Sequence, residues 1–211
     1  MRPSDSAVVD RAIQERRTLK MIVPEPAPTA GALSRESVEQ ILAVSGLAPF
    51  HKPAPAGPPE PWRCYALDAD ACRALRQRAL DAGGGGKVPG MLAAADALVV
   101  VTWVPEGASA PVPNLTFAPS LRNMELIAAA SAMIQNMLVA ATARDIASYW
   151  SSGGWLATAP GMEALDVPQG ELLLGAIFLF PDAAENAMVR PGKQHAARTD
   201  MATWARWVEM A

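Results

Sequence analysis

Residues 121–144, LRNMELIAAASAMIQNMLVAATAR, decide how the rest of the chain must be arranged. The spacing predicts one long helix over Leu121–Arg144. Its Met124–Ala143 portion reaches about the length of a bilayer span, yet Glu125, Gln135 and Asn136 interrupt it and alanine dominates where leucine would be expected. It therefore reads as a helix buried in protein. A helix that is apolar nearly all round has no solvent face, so its own domain or a partner subunit must surround it, a first indication of a dimer.

Strands are predicted on either side of this helix. Ala97–Val104 is a β-branched apolar run and reads as a buried strand. Leu172–Phe180 predicts a second strand, and Trp62–Leu67 a short third. Val8, Val9, Ala12 and Ile13 recur at helical spacing after start signals at Ser4 and Asp5. That helix runs out in the basic stretch Arg16-Arg17-Thr18-Leu19-Lys20. A second helix begins near Ser34 with Val38, Ile41, Leu42 and Ser45 on one face; a third spans Asp70–Leu80; a short one lies near Ala159–Leu165. Proline sets the connectors, with Pro24, Pro26 and Pro28 in 21–33 and six prolines in 49–61, the latter a stiff loop able to hold a side chain in place. Pro105–Pro119 and Ser151–Gly154 read as loops. Residues 182–211 form a C-terminal arm in which Met201, Trp204, Ala205 and Val208 fall at helical spacing on a stripe that needs covering. No fixed-period repeat or domain break appears, so residues 1–211 read as one α+β domain.

Composition narrows the function. The chain has 211 residues, 51% apolar and 18% charged, which is ample for a packed core. Eighteen Lys and Arg against 21 Asp and Glu give a net charge of −3, which supplies no overall field for nucleic acid or an anionic membrane. Cys64 and Cys72 match no zinc spacing, and His51 and His195 are the only histidines, so no metal site is expected. Asp5 and Asp10 stand where a secretion signal would be apolar; a reduced, cytoplasmic protein is expected.

Common catalytic motifs are missing. There is no G-x-S-x-G elbow and no G-x-G-x-x-G after a strand. The run Gly83–Gly86 with Lys87 lacks both a preceding strand and a following Ser or Thr, so it reads as a connector and not a phosphate loop. What remains is the cluster Arg16, Arg17 and Lys20 with the Thr18 hydroxyl among them. Fork-shaped donors and a hydroxyl within five residues suit a phosphate group. Equally, basic residues in a last helical turn can do no more than offset the macrodipole.

That cluster belongs to an ordered series of motifs. Arg16-Arg17-Thr18-Leu19-Lys20 resembles the R-R-S-x-R signature of the nitroreductase family of FMN-dependent oxidoreductases. Ala48-Pro49-Phe50-His51-Lys52 followed by Pro61-Trp62-Arg63 is similar to the A-P-x-H-K and Q-P-W-R segments of its short-chain branch. Gln135-Asn136-Met137-Leu138-Val139-Ala140-Ala141, continuing to Trp150-Ser151-Ser152-Gly153, resembles the Q-N-L-L-L-A-A helix and the W-R-S-G loop. The resemblance implies a mainly antiparallel sheet flanked by helices in an intertwined homodimer, with Leu121–Arg144 at the interface and the arm wrapping the other subunit. It implies that Arg16, Arg17, Thr18 and Lys20 hold the FMN phosphate and the pyrimidine edge of the ring. His51 would reach FMN from the partner subunit, and Ser151, Ser152 and Gly153 would pass the ring near its reactive nitrogen. Charge-assisted bonds of about 1.5–3 kcal/mol each would allow binding at micromolar affinity or better.

The implied reaction takes hydride from NAD(P)H through FMN to a nitroaromatic, quinone or similar small-molecule acceptor in a ping-pong cycle that requires no protein acid or base. Departures from the branch are a longer Lys52–Pro61 loop, Glu60 in place of Gln, Asp145 and Ala147 where glycines end the long helix, and Ser151 in place of a basic residue. Arg190 and Lys193 are candidates for the phosphate partners some relatives draw from the C-terminal end. Two other classes stand beside the enzyme: a flavin-binding or sensing homologue without turnover, and a cofactor-free interaction protein.

Overall fold

The computed structural model describes residues 5–26, 33–107, 118–180 and 187–210. In chain order its elements are α1 (Asp5–Glu15), β1 (Leu19–Ile22), α2 (Arg35–Ser45), β2 (Trp62–Asp68), α3 (Ala69–Asp81), α4 (Val88–Ala94), β3 (Ala97–Trp103), α5 (Leu121–Thr142), β4 (Ala147–Ser151), α6 (Ala159–Ala164), β5 (Leu172–Phe180) and β6 (Met188–Pro191). Short 3-10 turns lie at Gly154–Ala157, Lys193–His195 and Met201–Thr203. Start signal Ser4, connector residues 27–32 with Pro28, loop residues 108–117 and arm residues 182–186 lie outside the described residues.

Strands β2-β3-β5-β4 make a four-stranded sheet, antiparallel throughout, and β1 pairs antiparallel with β6 in a separate ribbon. Side chains alternate across a strand, so β3 feeds two cores. Ala97, Val99, Val101 and Trp103 join α2 and α5 on one face, whereas Leu98 and Val100 join α3 and α4 on the other. Strand β5 divides likewise, with Ile177 and Leu179 opposed to Ala176, Phe178 and Phe180. Helices cover both faces of the sheet, which is why the two central strands read as unbroken apolar runs.

The long helix is fixed by an N-cap. Ser120 Oγ accepts from the Asn123 N–H at 3.1 Å, relieving one of the free donors of the first turn. Leu126, Ala130, Met133, Ile134 and Met137 lie buried against the sheet, while Leu121 and Met124 are exposed. Only about half of its most apolar window is buried, so this chain alone does not surround it.

Three expectations need correction. Helix α1 stops at Glu15, and Leu19–Ile22 forms a strand, so connector 21–33 begins two residues later than expected. The reason is pairing: β6 supplies partners for all four residues, from Leu19 opposite Pro191 to Ile22 opposite Met188. Helix α4, between the glycine run and β3, was not expected; Pro89 in its first turn is compatible with a helix start. The helical stripe in the arm is absent. A single 3-10 turn forms at Met201–Thr203, and Trp204, Trp207 (97% exposed), Val208 and Met210 stand exposed among the described residues. A short helix is marginal without packing, so the spacing alone does not impose one.

Candidate functional site

Strand β1 holds the basic cluster between two neighbours. Thr18 forms a parallel bridge with Ser148 of β4, and its carbonyl accepts from the Gly192 N–H at 2.8 Å. Lys20 sits opposite Arg190 in the β1–β6 ribbon, and its Nζ lies 4.4 Å from the centre of the Tyr149 ring. Arg16, half-buried, donates through Nη1 to Thr18 Oγ1 at 3.4 Å. Burial, then the charges of Arg198 and Arg17, push the Arg16 pKa down from its ordinary value.

The two open readings of the cluster divide between its arginines. Arg17 is exposed and bends back so that Nη1 donates to the carbonyls of Gln14 and Arg16, thereby satisfying the end of α1. Arg16 instead faces other cations. Among the described residues the ion pairs are Arg35–Asp68, Arg76–Glu25 and Arg122–Glu106, and none involves Arg16, Arg17, Lys20, Arg190 or Arg198. A half-buried guanidinium with cationic neighbours and no carboxylate is a place where an anion is favoured.

The predicted loop residues lie at the other end of β4. Ser151 ends the strand, buried, and its Oγ accepts from the Gly153 N–H at 3.2 Å. Ser152 is exposed. Gly153 has φ 103°, and a Cβ there would collide with Leu173 and come within 3.2 Å of Ala157 Cβ. Only glycine fits both the dihedral and the space. Because a strand rises about 3.3 Å per residue, Ser148 beside the cluster and Ser151 beside the loop are about 10 Å apart.

His51 lies elsewhere. It is exposed in a groove of about 530 Å³ with Phe50, Glu125, Ala128 and Ala132, on the first half of α5. The cluster borders β4, which follows the C-terminal end of α5, and none of its residues lines the groove that holds His51. The loop after His51 is tightly organised. Arg63 donates to the carbonyls of Glu60 (2.7 Å), Trp62 (2.8 Å), Ala56 (2.8 Å) and Pro58 (3.1 Å), so Glu60 contributes through its backbone.

Sequence reasoning missed Tyr149 and Arg198. Nothing local marks Tyr149, which becomes visible only once Thr18 is known to bridge Ser148. Arg190 owes its place to the β1–β6 register, whereas Lys193 is exposed in a 3-10 turn.

An antiparallel sheet sheathed by helices on both faces, with a basic strand at one end of β4 and a glycine turn at the other, defines an α+β class of fold. The chain belongs to the Nitroreductase family, whose family model matches residues 28–179. That span starts after Arg16–Lys20, so the family model does not cover the cluster. A nitroreductase-like family protein from Bacillus cereus superposes with TM-score 0.63 at 22% identity, covering 100% of both chains. A nitroreductase with bound FMN from Bacteroides fragilis gives 0.58 at 21%, covering 95% of this chain and 98% of that one. A variant of an FMN- and NADPH-dependent nitroreductase from Sphigopyxis sp. strain HMH gives 0.58 at 10%, covering 94% and 98%. No curated protein matches.

Proposed function

We propose that this chain is an FMN-dependent oxidoreductase, folded as a single domain and active as a homodimer in the cytoplasm. The carrying observation is the uncompensated set Arg16, Lys20 and Arg190 at one end of β4, with the glycine turn at the other. The residues fit the phosphate of the cofactor: burial lowers the Arg16 pKa first and the charges of Arg198 and Arg17 add to it, and an anion beside Arg16 would offset that repulsion. The Gly153 turn is held in place by its own chain, Leu173 and Ala157 filling the position a Cβ would take. The FMN-bound relative from Bacteroides fragilis supports the same reading.

The resemblance gives this cluster the phosphate and the pyrimidine edge together; in this reading it takes the phosphate alone, Arg16, Lys20 and Arg190 holding it through charge-assisted bonds with the Thr18 hydroxyl as one more partner. Arg17 contributes field while it closes α1. Ser151, Ser152 and Gly153 pass along the ring, the turn at Gly153 needing glycine for its φ of 103° and for its packing against Leu173 and Ala157. The partner subunit's His51 completes the site from across the interface. Bound FMN supplies the hydride chemistry, from NAD(P)H to a nitroaromatic, quinone or similar acceptor, the two substrates using the same space in turn. Exposed Val8, Val9 and Ile13 on α1, Leu121 and Met124 on α5, and the arm with Trp204 and Trp207 supply the apolar surface for the dimer.

The test is an absorbance spectrum of the purified protein incubated with FMN and passed through a desalting column. Retained flavin that bleaches with NAD(P)H and recovers with a quinone is the expected result. Retention without bleaching points to the sensing homologue; no retention at micromolar FMN refutes the proposal.

A further inference from the structure

Helix α4 touches both halves of the site just described. Val88, Pro89, Met91, Leu92, Ala93 and Ala94 are all buried. Its remaining residue, Gly90, faces β1: the Val23 N–H donates to the Gly90 carbonyl at 3.2 Å. A Cβ at Gly90 would stand 2.5 Å from Ile22 Cγ2 and 3.2 Å from the Val23 carbonyl. The approach of helix to strand therefore depends on the missing side chain. At the other end, Val88 Cγ2 would lie 3.0 Å from a Cβ on Gly154, next to the Gly153 turn. One short helix, rigidly packed, thus touches both the basic strand and the glycine turn.

We propose that Gly90 is a positioning residue for the phosphate end of the flavin site, α4 acting as the spacer that sets the separation between β1 and the Gly153 turn. The inference rests on the flavin reading above. Cores are close-packed, so an added methyl is relieved by movement of whatever can yield. Here β1 can yield: it is a four-residue ribbon outside the main sheet, whereas α4 is enclosed. Displacing β1 carries Lys20 off Tyr149 and Thr18 off Ser148. The Gly153 turn, held by β4 and β5, stays. The defect should therefore fall on a ligand's phosphate and spare its ring.

The experiment compares FMN with riboflavin, which has the same ring and no phosphate, by fluorescence titration of the full-length protein. The wild type should bind FMN about tenfold or more tighter than riboflavin, the worth of one charge-assisted contact. Gly90→Ala should reduce that ratio about tenfold, chiefly through FMN, with riboflavin affinity unchanged. The double variant Gly90→Ala/Ile22→Ala removes the clashing Cγ2 and should restore the ratio. It also serves if the single variant does not fold. Gly85→Ala, where a Cβ meets nothing within 4 Å, should match the wild type. Equal weakening of both flavins, an unchanged ratio in Gly90→Ala, or failure of the double variant to recover FMN binding would overturn the proposal. A wild type that binds neither flavin would instead refute the reading beneath it.

Discussion

Replacing Asp145 with glycine should stabilise the protein by about 1 kcal/mol. Asp145 has φ 57°, in the left-handed region, three residues past the end of α5. The Ile146 N–H donates to the Ala141 carbonyl and the Asp145 N–H to the Thr142 carbonyl, each at 3.0 Å. These are the two bonds of a Schellman motif, with aspartate where glycine usually sits. A non-glycine residue there costs about 1 kcal/mol, the low end of the range because aspartate tolerates this conformation better than most. Its exposed carboxylate also faces the negative end of the helix dipole, a penalty of about 0.3–1 kcal/mol. Glycine returns about 0.5 kcal/mol of that gain through the greater freedom of the unfolded chain. The net should raise Tm by roughly 2–4 °C in calorimetry at neutral pH. Asp145→Asn removes the charge alone and should gain about a third as much; Asp145→Ala keeps the backbone penalty and should gain least. A glycine variant no more stable than the alanine variant would refute the assignment of the cap.

Arg16→Ala should weaken FMN binding about tenfold to a hundredfold, whereas Arg17→Ala, whose guanidinium serves α1, should change it less than threefold in the same titration. Asp96 is buried, and its burial raises the carboxyl pKa despite the Leu33 N–H at 3.2 Å and the nearby Arg73 charge. The folded state therefore holds this proton more tightly than the unfolded chain, so stability is lost as pH rises from the ordinary aspartate value through the raised one. Asp96→Asn keeps the acceptor and should raise Tm over the wild type near pH 7, with the advantage vanishing near pH 4; a constant difference across that range would contradict the burial argument. Arg63→Ala removes the donor shared by three loop carbonyls and that of Trp62, and should expose residues 53–60 to proteases while leaving FMN retention within about threefold, as read by limited proteolysis and mass spectrometry.

The sheet interior was legible because burial writes itself into residue type. Ala97–Val104 and Leu172–Phe180 could be nothing but buried strands, and the observed β3 and β5 agree with them to one residue. What local pattern could not show was structure made by pairing. Strand β1 looks like a frayed helix end followed by prolines until β6, about 170 residues later, supplies its partners. Strand β4 is hidden in a run of small and aromatic residues whose register is set by Phe180 and Ala176 across the sheet. The cluster was legible as chemistry but not as a place. Four of its residues stand together in the sequence, yet the facing Arg190 and the Tyr149 ring come from elements that only the tertiary fold brings near. Asp145 shows the converse: the sequence marks an unusual helix end, and the backbone answers with a standard cap built on an uncommon residue.

Cations gathered without carboxylates set a condition on the protein as a whole. Arg16 loses solvent and gains the repulsion of Arg17 and Arg198, and nothing within the described residues of this chain relieves it. Such a cluster destabilises the empty fold by like-charge repulsion, so ligand binding and stability must be linked. A phosphate-bearing ligand at a hundred times its Kd would add about 2.7 kcal/mol, and part of that effect must weaken with salt as screening relieves the empty site. Riboflavin, which lacks the charge and so binds more weakly, should stabilise less at equal concentration, and its effect should not depend on salt. Mutating Arg198 should then stabilise the empty protein and weaken the FMN-bound one, two effects of opposite sign from a residue that makes no helix cap and no ion pair among the described residues.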